Sequence, residues 1–344
     1  MVKAILGVVA AGSFAIAFGQ EKLAAYLPFV NTVNNSACLK QFYREEPPFL
    51  AKDSLNKDSH PLCFNGFSSM YSGVSKTPLW VAEHLTPERL SQKIKREDSF
   101  HEELSLPQQH RALLSDYRGS GYDRGHMAPN ADMPDKASQY DSFSLANMVP
   151  QAPKNNQQVW RELEEATRAM VTKQKHEVYV ITGPVYSAKK VKRIGSGVIV
   201  PNAVYKAIYI PKTGAIGAYY APNDNSLKVQ VVSVCKLEEE LNINLFPQLT
   251  PEQKRNTYRL PLTANQVKAN KALEYSHWDA ESQCAEDVSA DQLQALKKQF
   301  SSQPMPAQAG STTTSKPAID PVSQENIVKE LTEALIQYLL QFIK

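Results

Sequence analysis

The residues with the clearest capacity for chemistry lie between Tyr122 and Arg168. A histidine, His126, ends the run Asp123-Arg124-Gly125-His126. Because an unperturbed imidazole titrates near neutral pH, His126 can accept a proton from water without a large shift in its pKa. Cleaving a phosphodiester requires such a base, a cation that neutralises the charge growing on the phosphorane, and a donor for the leaving oxygen. We therefore take His126 as the candidate base.

The neighbours of His126 support this interpretation. Gly125 permits a backbone turn that a larger residue would resist, and Asp123 and Arg124 supply charges next to the imidazole. An isolated histidine is more often a structural residue, so the case for His126 depends on what accompanies it.

A second set of residues recurs every four positions along a helix that is predicted to start after Pro153. Its members are Asn156, Trp160, Glu164 and Arg168, and this spacing turns them towards a common side. An amide oxygen is a hard ligand that suits Mg²⁺, an ion that keeps several of its waters. Asn156 is thus a candidate ligand, Glu164 can orient waters of the metal, and Arg168 can hold a phosphate oxygen. The alternative is a surface ion pair of Glu164 and Arg168, with Asn156 as a polar residue at the helix start.

Taken together, these residues resemble the DNA/RNA non-specific endonuclease family, which includes secreted bacterial sugar-non-specific nucleases and endonuclease G. Asp123–His126 matches the family's DRGH signature, and residues 147–151 match its N-x-x-P-Q motif. Asn156, Trp160 and Glu164 match its N-x-x-x-W-x-x-x-E motif. DRGH alone is moderately specific, but three motifs in register are a strong indication.

The resemblance continues on the C-terminal side of these motifs. Residues 178–186 resemble the strand and turn that follow the family's metal-binding helix, and residues 201–206 resemble its P-x-x-x-[YW]-[KR] strand. The recognisable region runs roughly from Leu62 to Cys235. The resemblance implies an α+β architecture, the ββα-metal (His-Me finger) nuclease fold, with a central, mainly antiparallel sheet flanked by helices. Predicted strands and helices that mix without strict βαβ alternation favour the same class.

The resemblance implies a role for each motif residue. His126 would act as the general base, and Asn156 as the single direct protein ligand of Mg²⁺, for which Mn²⁺ could substitute. Glu164 would bind a water of the metal. Asn147 matches a position that shapes the site and carries no chemical step.

Three arginines complete the implied site. Arg96 aligns with the family's transition-state arginine. Because the loop between Arg96 and the DRGH motif varies in length, Lys93 or Lys95 could occupy that position instead. Arg124 and Arg168 match further site arginines that contact phosphate. The resemblance thus implies hydrolysis of DNA and RNA to products with 5′-phosphates. Contacts made mainly to phosphates would leave the enzyme indifferent to sequence and sugar.

Residues 1–19 predict a secretory signal peptide. A basic residue, Lys3, precedes an apolar run over residues 4–17, and small residues stand before Gln20. We therefore expect a secreted or periplasmic protein, with an uncleaved N-terminal anchor as the alternative. After removal of the signal we expect no stable membrane span.

Four cysteines, Cys38, Cys63, Cys235 and Cys284, form an even set in a chain that is predicted to be exported. Pairing by proximity in sequence gives Cys38 with Cys63 and Cys235 with Cys284, although four cysteines allow three connectivities. The formal net charge of +3 falls by one, to +2, without Lys3. So small a charge neither requires nor excludes a polyanionic partner, and any attraction for phosphate must be local.

Periodicity and breaker residues predict the elements. The predicted strands cover residues 79–82, 177–182, 198–200, 203–210, 215–220 and 229–235. The predicted helices cover residues 86–95, 153–174, 251–258 and 290–300, the last with a capping box of Ser289 and Gln292.

Three segments follow the signal peptide. Residues 20–300 are predicted to form the endonuclease domain, and residues 301–320 a flexible linker rich in Ser, Thr, Pro, Gln and Ala. Residues 321–344 predict an amphipathic helix that begins after Asp320 with Pro321. This helix could fold back on the domain, associate with a second copy, or bind an inhibitor or other partner. A homodimer is also possible.

Two further groups could contact nucleic acid. A basic cluster at residues 189–193 could line a phosphate track with Arg111, Lys154 and Lys173, or form a solvated charged turn. Four tyrosines could stack on bases, although their positions on strands favour the sheet and core. They are Tyr205, Tyr209, Tyr219 and Tyr220.

Other classes of protein make different predictions. A nucleic-acid receptor that has lost the reaction has no physical need for His126, and a structural secreted module would bind no metal. An exported toxin or a cell-death nuclease would keep the chemistry and differ in location and in its need for an inhibitor.

Overall fold

The computed structural model describes residues 36–187 and 191–304. The strands there are β1 (Phe49–Leu50), β2 (Ser59–Cys63), β3 (Ser68–Ser72), β4 (Thr77–Leu85), β5 (Asp123–His126), β6 (Met148–Gln151), β7 (Val178–Val185), β8 (Arg193–Ile194), β9 (Val198–Ile199), β10 (Ala203–Ile210), β11 (Ala215–Pro222), β12 (Gln230–Val232), β13 (Ile243–Asn244), β14 (Asn256–Tyr258) and β15 (Tyr275–Trp278).

The helices of the same ranges are mostly short. They are α1 (Ser36–Leu39), α2 (Asp53–Asn56), α3 (Leu114–Tyr117), α4 (Lys136–Ser142), α5 (Arg161–Gln174), α6 (Val234–Leu241), α7 (Pro251–Arg255) and α8 (Ala290–Ser301). A π-helical segment, Asn155–Trp160, leads directly into α5.

Within the described ranges, seven strands form one antiparallel sheet in the order β12-β11-β10-β7-β4-β3-β2. β10 lies near its centre, where Lys206 faces Thr182 of β7 on one side and Tyr219 of β11 on the other. Every residue of β10 is buried, because both faces of the sheet are covered. A strand covered on both faces is mostly apolar, and in β10 the apolar run is interrupted by Lys206 alone, which is why its bounds could be predicted from the sequence.

The two faces of the sheet support separate hydrophobic cores. On one face, Leu163 of α5 packs in a cluster with Val180 of β7. On the other, Leu237 of α6 and Phe300 of α8 pack with Ile181, the next residue of β7. Successive side chains of a strand point to opposite faces, so β7 anchors both layers.

Two disulfides tie peripheral segments to this framework. Cys38–Cys63 joins α1 to β2, and Cys235–Cys284 joins α6 to the segment before α8. Both pairings expected from proximity in sequence are confirmed.

Several predicted elements are confirmed. β10 has the predicted bounds, and β4, β7 and β11 overlap their predicted strands and run further. α8 starts at Ala290, and the predicted capping box of Ser289 and Gln292 is present.

The helix predicted for residues 86–95 is not formed. Only Arg89–Ser91 makes a helical turn there. Leu90 and Ile94 offer too small an apolar face to hold so short a helix on the core, and helices of this length are marginal in water. The Arg89 side chain instead donates from Nε to the backbone oxygen of Asp132 at 2.8 Å.

Two predicted boundaries are also wrong. The strand predicted to reach residue 235 ends at Val232, because the Ser233 hydroxyl accepts a 3.0 Å hydrogen bond from the backbone N–H of Lys236 and starts α6. The helix predicted for residues 251–258 ends at Arg255, and the next three residues form β14, which pairs with β15. Because β15 lies further along the chain, the sequence around residues 256–258 does not indicate that they pair as a strand.

Some predicted segments lie outside the described residues. They are the signal peptide (1–19), the C-terminal helix (321–344), the linker beyond residue 304, and Lys189 and Lys190 of the basic cluster. Among the helices that are described, none combines the length and apolar character needed to cross a membrane.

Replacing Cys235 and Cys284 together by serine should lower the free energy of unfolding by about 3 kcal/mol, because the bond restricts the unfolded chain. The two cysteines are 49 residues apart. Urea unfolding followed by tryptophan fluorescence measures this loss. The matched double variant at Cys38 and Cys63, which are 25 residues apart, should lose slightly less. An unchanged unfolding midpoint for the first variant would contradict the prediction.

Candidate active site

His126 lies on a hairpin separate from the main sheet. β5 pairs with β6 in antiparallel register, so that Asp123 faces Gln151 and His126 faces Met148. Gly125, which permits a turn, is instead buried within the strand β5. A Cβ at this position would collide with the Gln151 side chain, so position 125 requires the absence of a side chain.

Asn147 holds the chain just beyond His126. Its Oδ1 atom accepts a hydrogen bond from the backbone N–H of Ala128 at 2.9 Å. Its Nδ2 atom donates to the carbonyl oxygens of Ala128 and Ser142, both at 2.8 Å. The fully buried Asn147 therefore holds the backbone next to β5 and β6 in place, which is consistent with a role in shaping the site.

The π-helical segment alters the direction of the residues that follow Pro153. In a regular α-helix, two residues eight positions apart differ by about 80° around the axis. A π turn contains more residues and rotates less per residue, which brings Asn156 and Glu164 closer to one line. Both line the same cleft, while Trp160 between them is buried.

Asp123 joins the hairpin to this helix. Its Oδ2 atom accepts hydrogen bonds from Asn156 Nδ2 at 2.9 Å and from Gln157 Nε2 at 2.8 Å. Because a carboxylate only accepts, the Asn156 amide must turn its nitrogen towards Asp123 and its oxygen away. Asn156 Oδ1 is thereby left available at the cleft.

The hairpin and the helix enclose a cleft of about 800 Å³. The structure brings five of the predicted site residues to its wall, and Arg168 is not among the described residues that line it. The five are Arg96, Arg124, His126, Asn156 and Glu164. In the two described ranges, no group of three or more His, Cys, Asp or Glu residues is arranged to hold a metal ion.

Aromatic rings enclose the His126 imidazole. Its ring centroid lies 5.1 Å from that of Phe143 and 5.7 Å from that of Phe100. Nε2 is buried and has no hydrogen-bond partner among the described residues. Burial, and then the positive charge of Arg96, lower the pKa of His126 to about 3. The sequence did not indicate this lowering of the pKa, because Phe100, Phe143 and Arg96 are brought against the ring by the fold.

Arg96 and Arg124 stand against the same two rings. The guanidinium carbon of Arg124 lies 3.9 Å from the centroid of Phe100, and that of Arg96 lies 5.3 Å from the centroid of Phe143. Arg96 Nε also pairs with Asp98 at 2.5 Å, and both side chains are exposed. Lys93 and Lys95 are exposed and do not line the cleft, so the geometry favours Arg96 for the predicted arginine position.

Glu164 stands where the cleft meets the buried interface between α5 and the sheet. Burial raises the pKa of Glu164 to about 7, and the positive charges of Lys206 and Arg168 oppose this rise. Lys206 is itself buried, donates to Thr182 Oγ1 at 2.8 Å and lies 5.6 Å above the ring of Trp160. A buried cation thus favours the carboxylate form of Glu164.

Arg168 belongs to this interface. Its Nη1 atom pairs with the buried Asp132 at 2.8 Å, where the alternative from the sequence had paired it with Glu164. Nearby, Arg89 pairs with the buried Glu83 at 3.2 Å. Removing Arg168 from Asp132 would leave an uncompensated buried charge, so the structure does not support Arg168 as a ligand of phosphate.

Three of the basic residues considered for a phosphate track make other contacts. Arg111, Lys173 and Arg193 each donate to a backbone oxygen of a neighbouring loop. Lys192 is closer to the cleft, since its Nζ donates at 3.0 Å to the hydroxyl of Tyr122, a residue of the cleft wall.

The four tyrosines considered for base stacking lie on β10 and β11. Tyr205, Tyr209 and Tyr219 are buried in the sheet, and Tyr220 is partly buried. None of the four lines the cleft within the described ranges. Their placement in the core, which the sequence favoured, is therefore confirmed.

Sequence reasoning assigned no role to several residues of the cleft wall. They include Phe100, Arg118, Tyr122, Gln157 and Arg161. Helical periodicity could have indicated Gln157 and Arg161, which follow the candidate metal ligand on the same helix. Phe100 and Arg118 come from irregular loops, where no periodic signal exists.

The sequence of the chain matches that of known proteins. Residues 46–252 match the family model described as DNA/RNA non-specific endonuclease. The chain belongs to this family. The match extends on both sides beyond the region that is recognisable by eye.

The family includes relatives named as nucleases. The chain is 36% identical over 207 residues to the mitochondrial nuclease EXOG of Danio rerio, covering 53% of this chain and 60% of that protein. It is 36% identical over 183 residues to the mitochondrial endonuclease G of Homo sapiens, covering 49% and 59% respectively. A nuclease of Nostoc sp. is 32% identical over 217 residues, covering 57% and 77%. The alignments thus span about three fifths of the first two relatives.

A solved structure shares the fold. A chain from the crystal structure of the EndoG/EndoGI complex matches with a TM-score of 0.55 and 24% identity, covering 71% of this chain and 99% of that one. The expected α+β, ββα-metal nuclease fold is therefore confirmed.

The lowered pKa of His126 predicts a loss of stability in acid. Below about pH 6.5 the imidazole of an unfolded chain takes up a proton, whereas the folded imidazole, with a pKa of about 3, resists it. The unfolded state then binds more protons, so this stabilisation is complete above about pH 6.5 and is lost as the pH falls towards the folded value.

Thermal unfolding of the wild type and of His126→Gln at a series of pH values measures this contribution. The wild type should lose more stability than the variant between about pH 7 and pH 4. Equal losses in the two proteins would show that His126 is not the residue responsible.

Proposed function

We propose that the chain is a metal-dependent endonuclease that hydrolyses phosphodiester bonds of DNA and RNA. The convergence of His126, Asn156 and two arginines on one cleft carries this proposal. Membership of the endonuclease family and the names of the relatives support it.

The residues present fit a hard divalent cation. Asn156 Nδ2 is bound to Asp123 Oδ2 at 2.9 Å, which leaves the amide oxygen as the ligand atom. One such oxygen and a shell of waters suit Mg²⁺, or Mn²⁺ in its place. We assign Asn156 as the direct protein ligand and Glu164 as the acceptor for a water of the metal. When bound, the ion would neutralise charge on the phosphorane and on the departing oxygen.

His126 is the base in this proposal. Its Nε2 atom is closed off from solvent, so we assign Nδ1 as the atom that takes the proton of the attacking water. The low pKa keeps the free imidazole neutral and ready to accept. The negative charge of a bound phosphate raises that pKa towards the range in which a base is effective.

Arg96 and Arg124 bind the phosphate under attack. A guanidinium offers planar N–H donors that match phosphate oxygens, and its charge stabilises the charge that develops during attack. In-line attack by water that expels the 3′ oxygen leaves a 5′-phosphate. Arg168 has a structural role instead, because it holds Asp132 in the interface beneath Glu164.

The phosphate contacts predict weak selectivity between DNA and RNA, and the disulfides predict an oxidising compartment. Arginines and a metal recognise phosphate, which DNA and RNA share, and none of the assigned roles requires the 2′-hydroxyl. The two disulfides support export, in agreement with the proposed signal peptide. A homodimer and binding of a partner through residues 321–344 remain predictions.

Purified protein from Gln20 onward should degrade both supercoiled plasmid and RNA in Mg²⁺, and EDTA should stop both reactions. Gel electrophoresis follows the substrates, and end-labelling of the fragments should detect 5′-phosphates. A protein with intact disulfides that cleaves neither substrate in Mg²⁺ or Mn²⁺ would instead be a binding protein that has lost the reaction.

Replacing the base separates catalysis from folding. His126→Ala should lower kcat by about 10³-fold, with little loss of affinity for DNA, because it removes the proton acceptor and leaves the arginines in place. Asn156→Ala should lose Mg²⁺ affinity and activity together. His277→Ala is the matched control, since His277 is exposed on β15 and does not line the cleft. The base is misassigned if His126→Ala cleaves as fast as the control.

A further inference from the structure

Two phenylalanines contact three of the groups assigned to catalysis. The rings of Phe100 and Phe143 meet edge to face, with centroids 4.9 Å apart. Both rings pack against His126. Each also carries one guanidinium on its face: Arg124 on Phe100 and Arg96 on Phe143.

Contact with an aromatic ring, unlike an ion pair, leaves the N–H donors of an arginine available to a phosphate. A guanidinium stacked on a ring face is attracted through its own plane, and its N–H donors point outward along that plane. A carboxylate partner would occupy those donors and cancel the charge. Among the described residues, Arg124 forms no ion pair, whereas Arg168 is committed to Asp132. The aromatic contact therefore orients Arg124 without using its donors.

The two rings are themselves fixed. Phe143 is fully buried. The backbone N–H of His101 donates to the Phe143 carbonyl oxygen at 3.3 Å, and the His101 carbonyl oxygen accepts from the N–H of Leu145 at 2.8 Å. The His101 ring also stacks on Tyr140 at 4.2 Å. The loop that carries Phe100 is thus bound to the segment that carries Phe143.

We propose that Phe100 and Phe143 are positioning residues, whose ring faces hold Arg124 and Arg96 beside His126. Arg124, which forms no ion pair among the described residues, offers all its N–H donors to a phosphate, and Arg96, whose Nε pairs with Asp98, offers its remaining donors. This inference rests on the proposed nuclease function and adds residues to its machinery. Neither ring needs to touch the reacting atoms.

Phe100 gives the cleaner test, because it is only partly buried. Initial rates on a defined oligonucleotide in Mg²⁺ give kcat and KM. Phe100→Leu should lower kcat/KM by about tenfold, and Phe100→Tyr, which keeps the ring face, should retain most of the wild-type value. Phe42→Leu, in the core on the other face of the sheet, is the matched loss of a ring and should leave kcat/KM unchanged. Phe100→Met replaces Phe100→Leu if the latter does not fold.

A double-mutant cycle decides whether the ring acts through the arginine. If it does, Phe100→Leu should cost about tenfold in the wild type and little in an Arg124→Ala background. Equal costs in both backgrounds, or a Phe100→Leu protein as active as the wild type, would overturn the proposal.

Failure of the nuclease function itself is a separate outcome, recognised by a wild type that cleaves nothing. The same cycle is then measured on oligonucleotide affinity by fluorescence anisotropy. Non-additive losses there would support the positioning role, and additive losses would reject it.

Discussion

The hydrogen bond from Asn156 Nδ2 to Asp123 Oδ2 is the interaction on which the site depends. It connects β5, which carries the candidate base, to the π-helical segment, which carries the candidate metal ligand. It also decides which atom of the Asn156 amide faces the cleft. A second contact joins the same two elements. Gly125 leaves room for the Gln151 side chain of β6, and Gln151 Nε2 donates to Asn155 Oδ1 of the π-helical segment at 2.5 Å. The hairpin and the helix are thereby held in one register.

Charge is divided between two regions of the protein. Between α5 and the sheet, Asp132 and Glu83 are each paired with an arginine, so buried charge is compensated. At the cleft, Arg96 and Arg124 rest on aromatic rings. Arg124 forms no ion pair with a described residue, whereas Arg96 pairs through Nε with the exposed Asp98 and keeps only its other donors for a ligand. Buried charges need partners to be tolerated, whereas a phosphate site needs charge that is not already satisfied. This difference separates Arg168 from Arg124, although the resemblance implies a phosphate contact for both.

The motifs could predict which residues form the site, but not how each is held. Local patterns predicted β10 and the capping box of α8, since these depend on periodicity and neighbouring residues. β3 escaped prediction because its buried serines look polar, although Ser68 Oγ and Ser69 Oγ donate to backbone oxygens at 2.9 and 3.2 Å. The π-helical segment, the aromatic support of the arginines and the partial burial of His126 depend on contacts between distant residues, so no local pattern could indicate them.

In the proposed site, Asp123 orients the Asn156 amide so that its oxygen binds a divalent cation. The most direct measurement is Mn²⁺ binding followed by electron paramagnetic resonance, in the wild type and in Asp123→Ala. Loss of an outer partner of a metal ligand should weaken Mn²⁺ binding by roughly 10- to 100-fold. Gln157→Ala, which removes only the second donor to Asp123, should change it much less. Equal Mn²⁺ affinities for Asp123→Ala and the wild type would contradict the account.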